Sequence, residues 1–377
     1  MQYLDFARPA WRTNQNPLFL VSDPGTPSSL IMFDNSAKLI SIPSAFGVLA
    51  LMLTVALIAC SDGSSEVDQA ESDGRLRVVT TVSPITSLVE NIGGTRIRLE
   101  GIIPEGLNSH TYEPAPAVAR LITEADLIVL NGLFLEEPAL NMAEANKKDA
   151  AVILQLGDKT VTPEQWQFDF SFPATAGRPN PHLWPDPILG LKYAELVRDE
   201  LSRLDADNAD YYSVNYESLK LRIDELDQGI VASLQTVPEG NRRLLTYHDS
   251  WAYFALRYGM TVIGAIQPSG FSEPSARDVA ELIDQLRELE VPAIFGSEVF
   301  PSPVMEQIAK EGGATFIDQL RDDDLPGEPG DARHSYLGLM LTNMEIMIVA
   351  LGGNVQALSK FDTGPVFDGE SGAIYPQ

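Results

Sequence analysis

The longest periodic pattern of apolar side chains in the sequence lies between residues 206 and 234. The apolar positions are three or four residues apart, which is the spacing of one face of a helix. Acidic and amide side chains precede the pattern and Pro238 follows it, as expected at the two ends of a helix. At about 1.5 Å per residue this helix would be about 43 Å long, more than one small lobe requires. The pattern therefore predicts a rigid helix that joins two lobes. Its apolar face consists of Tyr212, Tyr216, Leu219, Ile223, Leu226, Ile230 and Leu234.

Shorter apolar runs on both sides of this helix alternate between strand-like and helix-like patterns. Strands joined through helices form parallel sheets with helices on their faces. The sequence therefore predicts an α/β protein in which two α/β lobes with parallel sheets are joined by one long rigid helix. Predicted strands before the helix are 76–81, 96–103 and 127–130, and those after it are 244–246, 261–266, 293–295 and 315–317.

These patterns divide the chain into six regions. Residues 1–59 form a signal-peptide region, 60–75 a lipidated cysteine with a flexible tether, 76–186 the N-terminal lobe, 187–238 the helical linker, 239–355 the C-terminal lobe and 356–377 a tail. Within the N-terminal lobe, residues 157–179 contain prolines and aromatic side chains but no periodicity. We expect this segment to be a surface loop that packs over another part of the protein.

The single cysteine of the chain, Cys60, follows an uncharged apolar segment at residues 40–59. The segment ends in Leu-Ile-Ala-Cys, which resembles a bacterial lipobox, and this resemblance implies removal of the preceding residues and lipidation of Cys60. A transmembrane anchor is the alternative, because the apolar run is about 20 residues long. Pro43 and the small residues before the cysteine favour a cleaved signal. Since residues 1–31 are polar and precede a typical signal start at Met32, we expect that they are not translated in the cell.

The charge balance is strongly acidic, with 26 Lys and Arg against 53 Asp and Glu and a net charge of -27. Such a field repels nucleic acid and anionic lipid headgroups and mildly attracts cations. Solubility alone is the simplest explanation of the charge, and nucleic-acid binding is not expected.

Candidate ligands follow several of the predicted strands. His248 lies two residues after one strand, Asp318 directly after another and Glu298 shortly after a third. Ligands bind beyond the carboxyl ends of the strands of open parallel sheets, so these side chains would face one crevice. Imidazole and carboxylate together suit a first-row divalent ion, zinc first. A histidine in a loop is more often structural than a ligand, so these patterns alone leave metal binding open.

Three longer motifs surround three of the four histidines. They are Gly-Leu-Asn-Ser-His-Thr-Tyr-Glu-Pro at 106–114, Asn-Pro-His-Leu-Trp-Pro-Asp-Pro at 180–187 and Thr-Tyr-His-Asp-Ser-Trp-Ala-Tyr-Phe at 246–254. These motifs resemble those of the metal-binding solute receptors of bacterial zinc and manganese ABC importers. The resemblance extends from about residue 75 to residue 352, nearly all of the predicted folded region.

The resemblance implies four metal ligands, His110 and His182 from the first lobe and His248 and Asp318 from the second. It also implies a monomeric, extracytoplasmic receptor that is anchored to the membrane by lipid and delivers its ion to an ABC permease. Histidine at the third ligand position resembles the zinc group and favours Zn²⁺. A manganese or iron receptor of the same fold is the alternative. No histidine-rich loop lies between the first two ligands, unlike in many zinc receptors.

Glu298 is expected to accept a hydrogen bond from a ligating histidine, with direct ligation as the alternative. His334 and the acidic run 322–324 are interpreted as solvated. A zinc hydrolase with Glu298 or Glu113 as general base is a competing hypothesis, although no catalytic motif supports it. A surface adhesin of the same fold would share the metal site and stays open as a third possibility.

Overall fold

The computed structural model describes residues 73–267, 274–299 and 303–377. Cys60, the apolar segment before it and most of the predicted tether lie outside the described residues. In the part of the chain that is described, no helix is long and apolar enough to cross a membrane. The described strands form two four-stranded parallel sheets, which confirms the predicted fold class of two α/β lobes.

The first sheet has the strand order β2-β1-β3-β4, with all neighbouring strands parallel. Helix α3 and strand β4 had no counterpart among the sequence predictions, because α3 buries only two alanines and β4 has four residues. The elements of this lobe are β1 (Leu76–Thr80), α1 (Ser83–Gly93), β2 (Ile97–Gly101), α2 (Pro116–Glu124), β3 (Leu127–Leu130), α3 (Glu137–Asn146), β4 (Val152–Gln155) and α4 (Leu156–Thr160).

Two helices connect the sheets, α5 (Pro187–Leu204) and α6 (Ala209–Leu234). Helix α5 begins where the Asp186 carboxylate accepts hydrogen bonds from the Ile188 and Leu189 amides, as an N-cap does. Helix α6 is the predicted long helix, preceded by one short 3-10 turn, and all seven predicted apolar positions are buried. It packs against α5, α1 and the last helix, α10 (Tyr336–Ala350).

The second sheet has the order β6-β5-β7-β8 and is also parallel. Its strands are short, with three residues each in β7 and β8, and the register between β5 and β6 shifts at Leu244/Leu245. The elements are β5 (Arg243–Thr246), α7 (Ala252–Tyr258), β6 (Thr261–Ala265), α8 (Ala276–Leu289), β7 (Ala293–Phe295), α9 (Pro303–Gly312) and β8 (Thr315–Ile317).

The C-terminal tail, for which the sequence offered no pattern, returns to the first lobe. Ile374 pairs with β2, since its amide donates to the Leu99 carbonyl and its carbonyl accepts from the Gly101 amide. This pairing covers part of the outer edge of β2, an edge that would otherwise present unpaired backbone groups.

The described residues form two apolar cores. The larger one extends from the first lobe through α5 and α6 to α10 and one face of the second sheet, where it includes Leu244 and Phe295. The smaller one lies on the other face of that sheet, where Leu245 and Ile294 pack against α8 and α9. Successive residues of a strand point to opposite faces, so neighbouring residues of β5 and β7 enter different cores.

Candidate metal centre

Three of the predicted ligands come together. His110 lies in the loop after β2, His182 in the loop before α5, and His248 two residues after β5. Their Nε2 atoms form a triangle with sides of 3.2 Å (His110 to His182), 3.2 Å (His110 to His248) and 3.1 Å (His182 to His248). Within the described residues these histidines are the group of ligand side chains close enough to share a metal ion.

The triangle has the dimensions of a metal site. A tetrahedral ion with bonds of about 2.0–2.1 Å to imidazole places neighbouring nitrogens about 3.3–3.4 Å apart, close to the observed separations. The three nitrogens also form one face of an octahedron, so the triangle accepts a six-coordinate ion as well. The geometry of the triangle therefore fits a divalent ion but does not distinguish one metal from another.

Two side-chain amides fix the orientation of the buried imidazoles. His182 Nδ1 lies 2.8 Å from Asn180 Oδ1, and His248 Nδ1 lies 2.8 Å from Gln267 Oε1. An amide oxygen only accepts hydrogen bonds, so each Nδ1 must donate. In the neutral ring the opposite nitrogen then carries a lone pair, and two lone pairs face each other across 3.1 Å. A cation between them converts this repulsion into coordination.

Burial favours the neutral form of the His110 and His182 imidazoles. It lowers the pKa of His110 and of His182 well below the usual value, and the neighbouring histidines lower both further. A neutral ring is the form that binds a metal. The amide partners were not predicted from the sequence, although Asn180 stands in the motif that contains His182.

Glu298 has a different role from the one expected. Its Oε1 accepts hydrogen bonds from the backbone amides of Asp322, Asp323 and Asp324, at 2.9, 3.2 and 3.2 Å. The histidines instead obtain their acceptors from amide side chains. Glu298 therefore holds the acidic loop that follows β8, and burial together with the neighbouring carboxylates raises its pKa well above the usual range.

The acidic run 322–324 is buried, which corrects its interpretation as a solvated face. Asp322 Oδ2 and Asp323 Oδ1 have no hydrogen-bond partner among the described residues. Burial and the Asp322 charge raise the pKa of Asp323 well above its usual range, and Ser109, next to His110, lowers it in part. The Trp184 indole donates to the Asp322 carbonyl at 2.7 Å, and its ring lies 5.1 Å from that of His182. The run is thus connected to His182 through Trp184 and to the loop of His110 through Ser109.

Asp318 does not join the histidines, although it directly follows β8 as predicted. It is exposed and is not part of the described group that could share an ion. Leu320 and Leu325, on either side of the acidic run, are buried, and so are the three aspartates between them. His334 is buried rather than solvated, and its ring lies 4.9 Å from that of Tyr375 in the tail.

Comparison with known proteins matches residues 78–350 to the family "ZnuA: Zinc-uptake complex component A periplasmic". The chain is 27% identical over 301 residues to the "Manganese-binding lipoprotein MntA" of Halalkalibacterium halodurans, covering 80% of this chain and 97% of that protein. It is 29% identical over 310 residues to the "Metal ABC transporter substrate-binding lipoprotein FimA" of Streptococcus parasanguinis, covering 79% and 96%.

A similar solved structure is the periplasmic zinc-binding protein TroA from Treponema pallidum. It superimposes with a TM-score of 0.67 at 26% identity, over 74% of this chain and 99% of that one. The names of these three proteins describe binding proteins rather than enzymes, and they include both manganese and zinc.

Proposed function

Because the chain belongs to the family of periplasmic zinc-uptake component A proteins, we propose that it is the metal-binding receptor of a bacterial ABC importer. The observation that carries the proposal is the triangle of three Nε2 atoms, in which two lone pairs are fixed toward each other by amide acceptors. The transported ion is the substrate of this site. His110, His182 and His248 are its proposed ligands.

The fourth ligand is proposed to be Asp323 instead of Asp318. Among the described residues neither carboxylate belongs to the group of close ligand atoms that the three histidines form. Asp318 is exposed, whereas Asp323 is buried beside Ser109 and offers an oxygen without a hydrogen-bond partner among the described residues. A shell of three imidazoles and one carboxylate is a closed tetrahedral set that suits Zn²⁺. Manganese is the alternative substrate, supported by the relatives named for that metal.

The chain's residues account for capture and for its pH dependence. Asn180 and Gln267 hold the rings of His182 and His248 so that binding requires little ordering, and burial favours the neutral form of His110 and His182. Metal and protons compete for the same nitrogens, so affinity falls as the pH drops toward the lowered pKa values of His110 and His182. Release to the permease then requires that a ligand be displaced.

The proposed location is outside the cytoplasmic membrane, with Cys60 as the lipidated residue that anchors the receptor near its permease. Relatives named as lipoproteins support this part of the proposal. A monomer is proposed as the working form, because one chain supplies all the proposed ligands.

The test is elemental analysis and competition titration of the chain that begins after Cys60. We expect one equivalent of zinc that outcompetes manganese. His182→Ala should lower zinc affinity at least about a hundredfold and Asp323→Asn about tenfold or more, since each removes a bond to the metal. Asp318→Asn is the matched control and should bind like the wild type.

Each contrary result has a separate meaning. A wild-type chain that takes up no divalent metal would overturn the receptor proposal. Preference for manganese would keep the receptor and change its substrate. If Asp318→Asn lost affinity while Asp323→Asn did not, the fourth ligand would be the one predicted from the sequence.

A further inference from the structure

The Phe172 side chain lies against all three histidines. Its ring centroid is 5.5 Å from that of His110, 5.7 Å from that of His182 and 6.1 Å from that of His248. Phe172 belongs to the loop at 157–179 that was expected to pack over another part of the protein. An apolar ring at this position offers no ligand atom, and it occupies space that a water molecule would need to reach the triangle.

A tight turn holds this ring in place. Within the turn, the Asp169 amide donates to the Phe172 carbonyl at 3.0 Å, and the Phe172 amide donates to Asp169 Oδ1 at 3.1 Å. The amides of Phe170 and Ser171 donate to Asp249 Oδ2 at 3.0 and 3.4 Å. Asp249 directly follows His248, so the turn from the first lobe is attached to a ligand-bearing loop of the second.

The same turn is connected to both amides that orient the imidazoles. Asn180 Nδ2 donates to Asp169 Oδ2 and to the Asp249 carbonyl, each at 2.5 Å. Ser171 Oγ donates to the Gln267 carbonyl at 2.6 Å. The turn that positions Phe172 and the acceptors that position His182 and His248 therefore belong to one hydrogen-bonded network.

A cleft of about 500 Å³ is lined in part by this ring. Its described lining residues come from the first lobe and include His110, Phe134, Phe172 and Arg178. His182 and His248 are not among them and are 0% and 4% exposed. Of the three histidines, the cleft therefore reaches His110, and Phe172 both lines the cleft and contacts the other two.

We propose that Phe172 is the gate of the metal site. Its ring closes the end of the cleft, slows exchange of the bound ion and keeps water out of the coordination shell. A shell without water stays four-coordinate, which favours zinc over ions that require more ligands. This inference rests on the proposed function, because Phe172 can control ion exchange only if the three histidines bind a metal.

The test compares Phe172→Ala with Phe170→Ala, a truncation in the same turn of a ring that is 53% exposed. Zinc-loaded protein is mixed with an excess of a chromogenic chelator, and the dissociation rate is followed by stopped flow. We expect Phe172→Ala to release zinc at least about tenfold faster than the wild type, since a removed lid opens the site. Phe170→Ala should stay within about twofold, because its ring does not contact the histidines.

A second readout reports the coordination shell directly. Cobalt(II) substituted into the wild type should show the intense visible absorption of a four-coordinate ion. In Phe172→Ala the bands should weaken as water enters, and Phe172→Leu should restore both intensity and slow release, because an apolar side chain again covers the triangle. Phe172→Val extends the series if the alanine variant does not fold.

The outcomes separate this inference from the receptor proposal. A wild-type chain that binds no metal overturns both. A wild-type chain that binds zinc, with equal release rates and equal cobalt spectra in the Phe172 and Phe170 variants, overturns the gate alone. Faster release in Phe172→Ala with rescue by leucine supports it.

Discussion

The two lobes share one sheet topology but differ in how they are stabilised. The first sheet is continuous with the larger core, which extends through α5 and α6. The second sheet divides its faces between that core and a smaller one of its own, and two of its strands have only three residues. The first lobe thus shares a large core with the connecting helices, whereas one face of the second lobe depends on a small separate core.

The lobes also differ in how they treat buried negative charge. In the first lobe, the Glu136 carboxylate accepts hydrogen bonds from the backbone amides of Asn131 and Gly132. In the second lobe, Glu298 lies among three buried aspartates, and mutual repulsion contributes to its raised pKa. The first lobe provides His110 and His182, whereas the second provides His248 together with buried negative charge that a cation would neutralise. We expect metal binding to stabilise the second lobe more than the first.

The largest effect on stability that sharpens this contrast is expected at Glu136. Burial raises its pKa from 4.5 to about 7. An acid with a raised folded pKa contributes full stability below its unfolded pKa and loses it as pH rises, here between about 4.5 and about 7. Glu136→Gln should remove this loss, but its amide nitrogen cannot accept from the Asn131 or Gly132 backbone, so one hydrogen bond is lost. The net stabilisation of the metal-free protein at pH 8 should be about 1–2 kcal/mol. The new amide can donate to the buried Thr81 hydroxyl.

Urea unfolding of wild type and variant at pH 4.5 and pH 8 measures this effect. Glu137→Gln is the control, because the side chain of this neighbouring residue is 45% exposed. The two curves should converge at pH 4.5, where both side chains are neutral in the folded state. A variant that is equally or less stable at pH 8 would show that the backbone amides fully compensate the buried charge, and that the lobes do not differ in this respect.

The next effect concerns the amides that orient the imidazoles, one in each lobe. Removing a partner that orients a metal-bound histidine typically costs about 10- to 100-fold in affinity. Asn180→Ala should lower the metal affinity by about 100-fold, because Asn180 contacts His182, Asp169 and the Asp249 carbonyl together. Gln267→Ala should lower the metal affinity by about 10-fold.

Competition with a chelating dye measures both affinities. Asn146→Ala serves as the control, since it truncates an exposed amide on α3. Equal losses from Asn180→Ala and Gln267→Ala would mean that only ring orientation matters and that the network shared by the two lobes adds nothing.

Much of the fold was predictable because its signals are local. The face of α6 and the strand at Leu127–Leu130 were recognised from period and composition, and both lie where predicted. Helix α3 and strand β4 were missed, since a short helix that buries two alanines has no clear apolar stripe. The pairing of Ile374 with β2 was also missed, because the local pattern of apolar residues does not indicate a backbone pairing with a distant part of the chain.

The metal site, like the fold, was predictable only where its signal is local in the sequence. The histidines were found through motifs, and the structure brings the three together. The acidic run was interpreted as solvated because a cluster of charges normally faces water. Its burial depends on Glu298, 24 residues before Asp322, and on the buried leucines on either side of the run. Gln267 likewise gains its role only when β6 is placed beside β5.

The smallest predicted effect concerns Arg178, which lines the cleft on the first lobe. Arg178 and Glu137 form an exposed ion pair of 2.6 Å there, and the guanidinium also lies over the Phe134 ring. The pair should contribute less than about 0.5 kcal/mol to stability, because water screens both charges. Its effect should be kinetic, since Arg178 repels an approaching cation and masks the nearby carboxylate. Arg178→Ala should therefore raise the zinc association rate about two- to threefold at low ionic strength.

Stopped-flow association at low and high salt checks this expectation, with Arg203→Ala as the control. Arg203 pairs with Glu200 on α5 and is 58% exposed, similar to Arg178, but it does not line the cleft. The gain should disappear at about 0.5 M salt, where the screening length falls below the distance over which the cleft attracts ions. An unchanged rate in Arg178→Ala, or an equal gain in Arg203→Ala, would show that the net charge of the whole chain attracts the ion. The first lobe would then provide a passage but no local electrostatic control of entry.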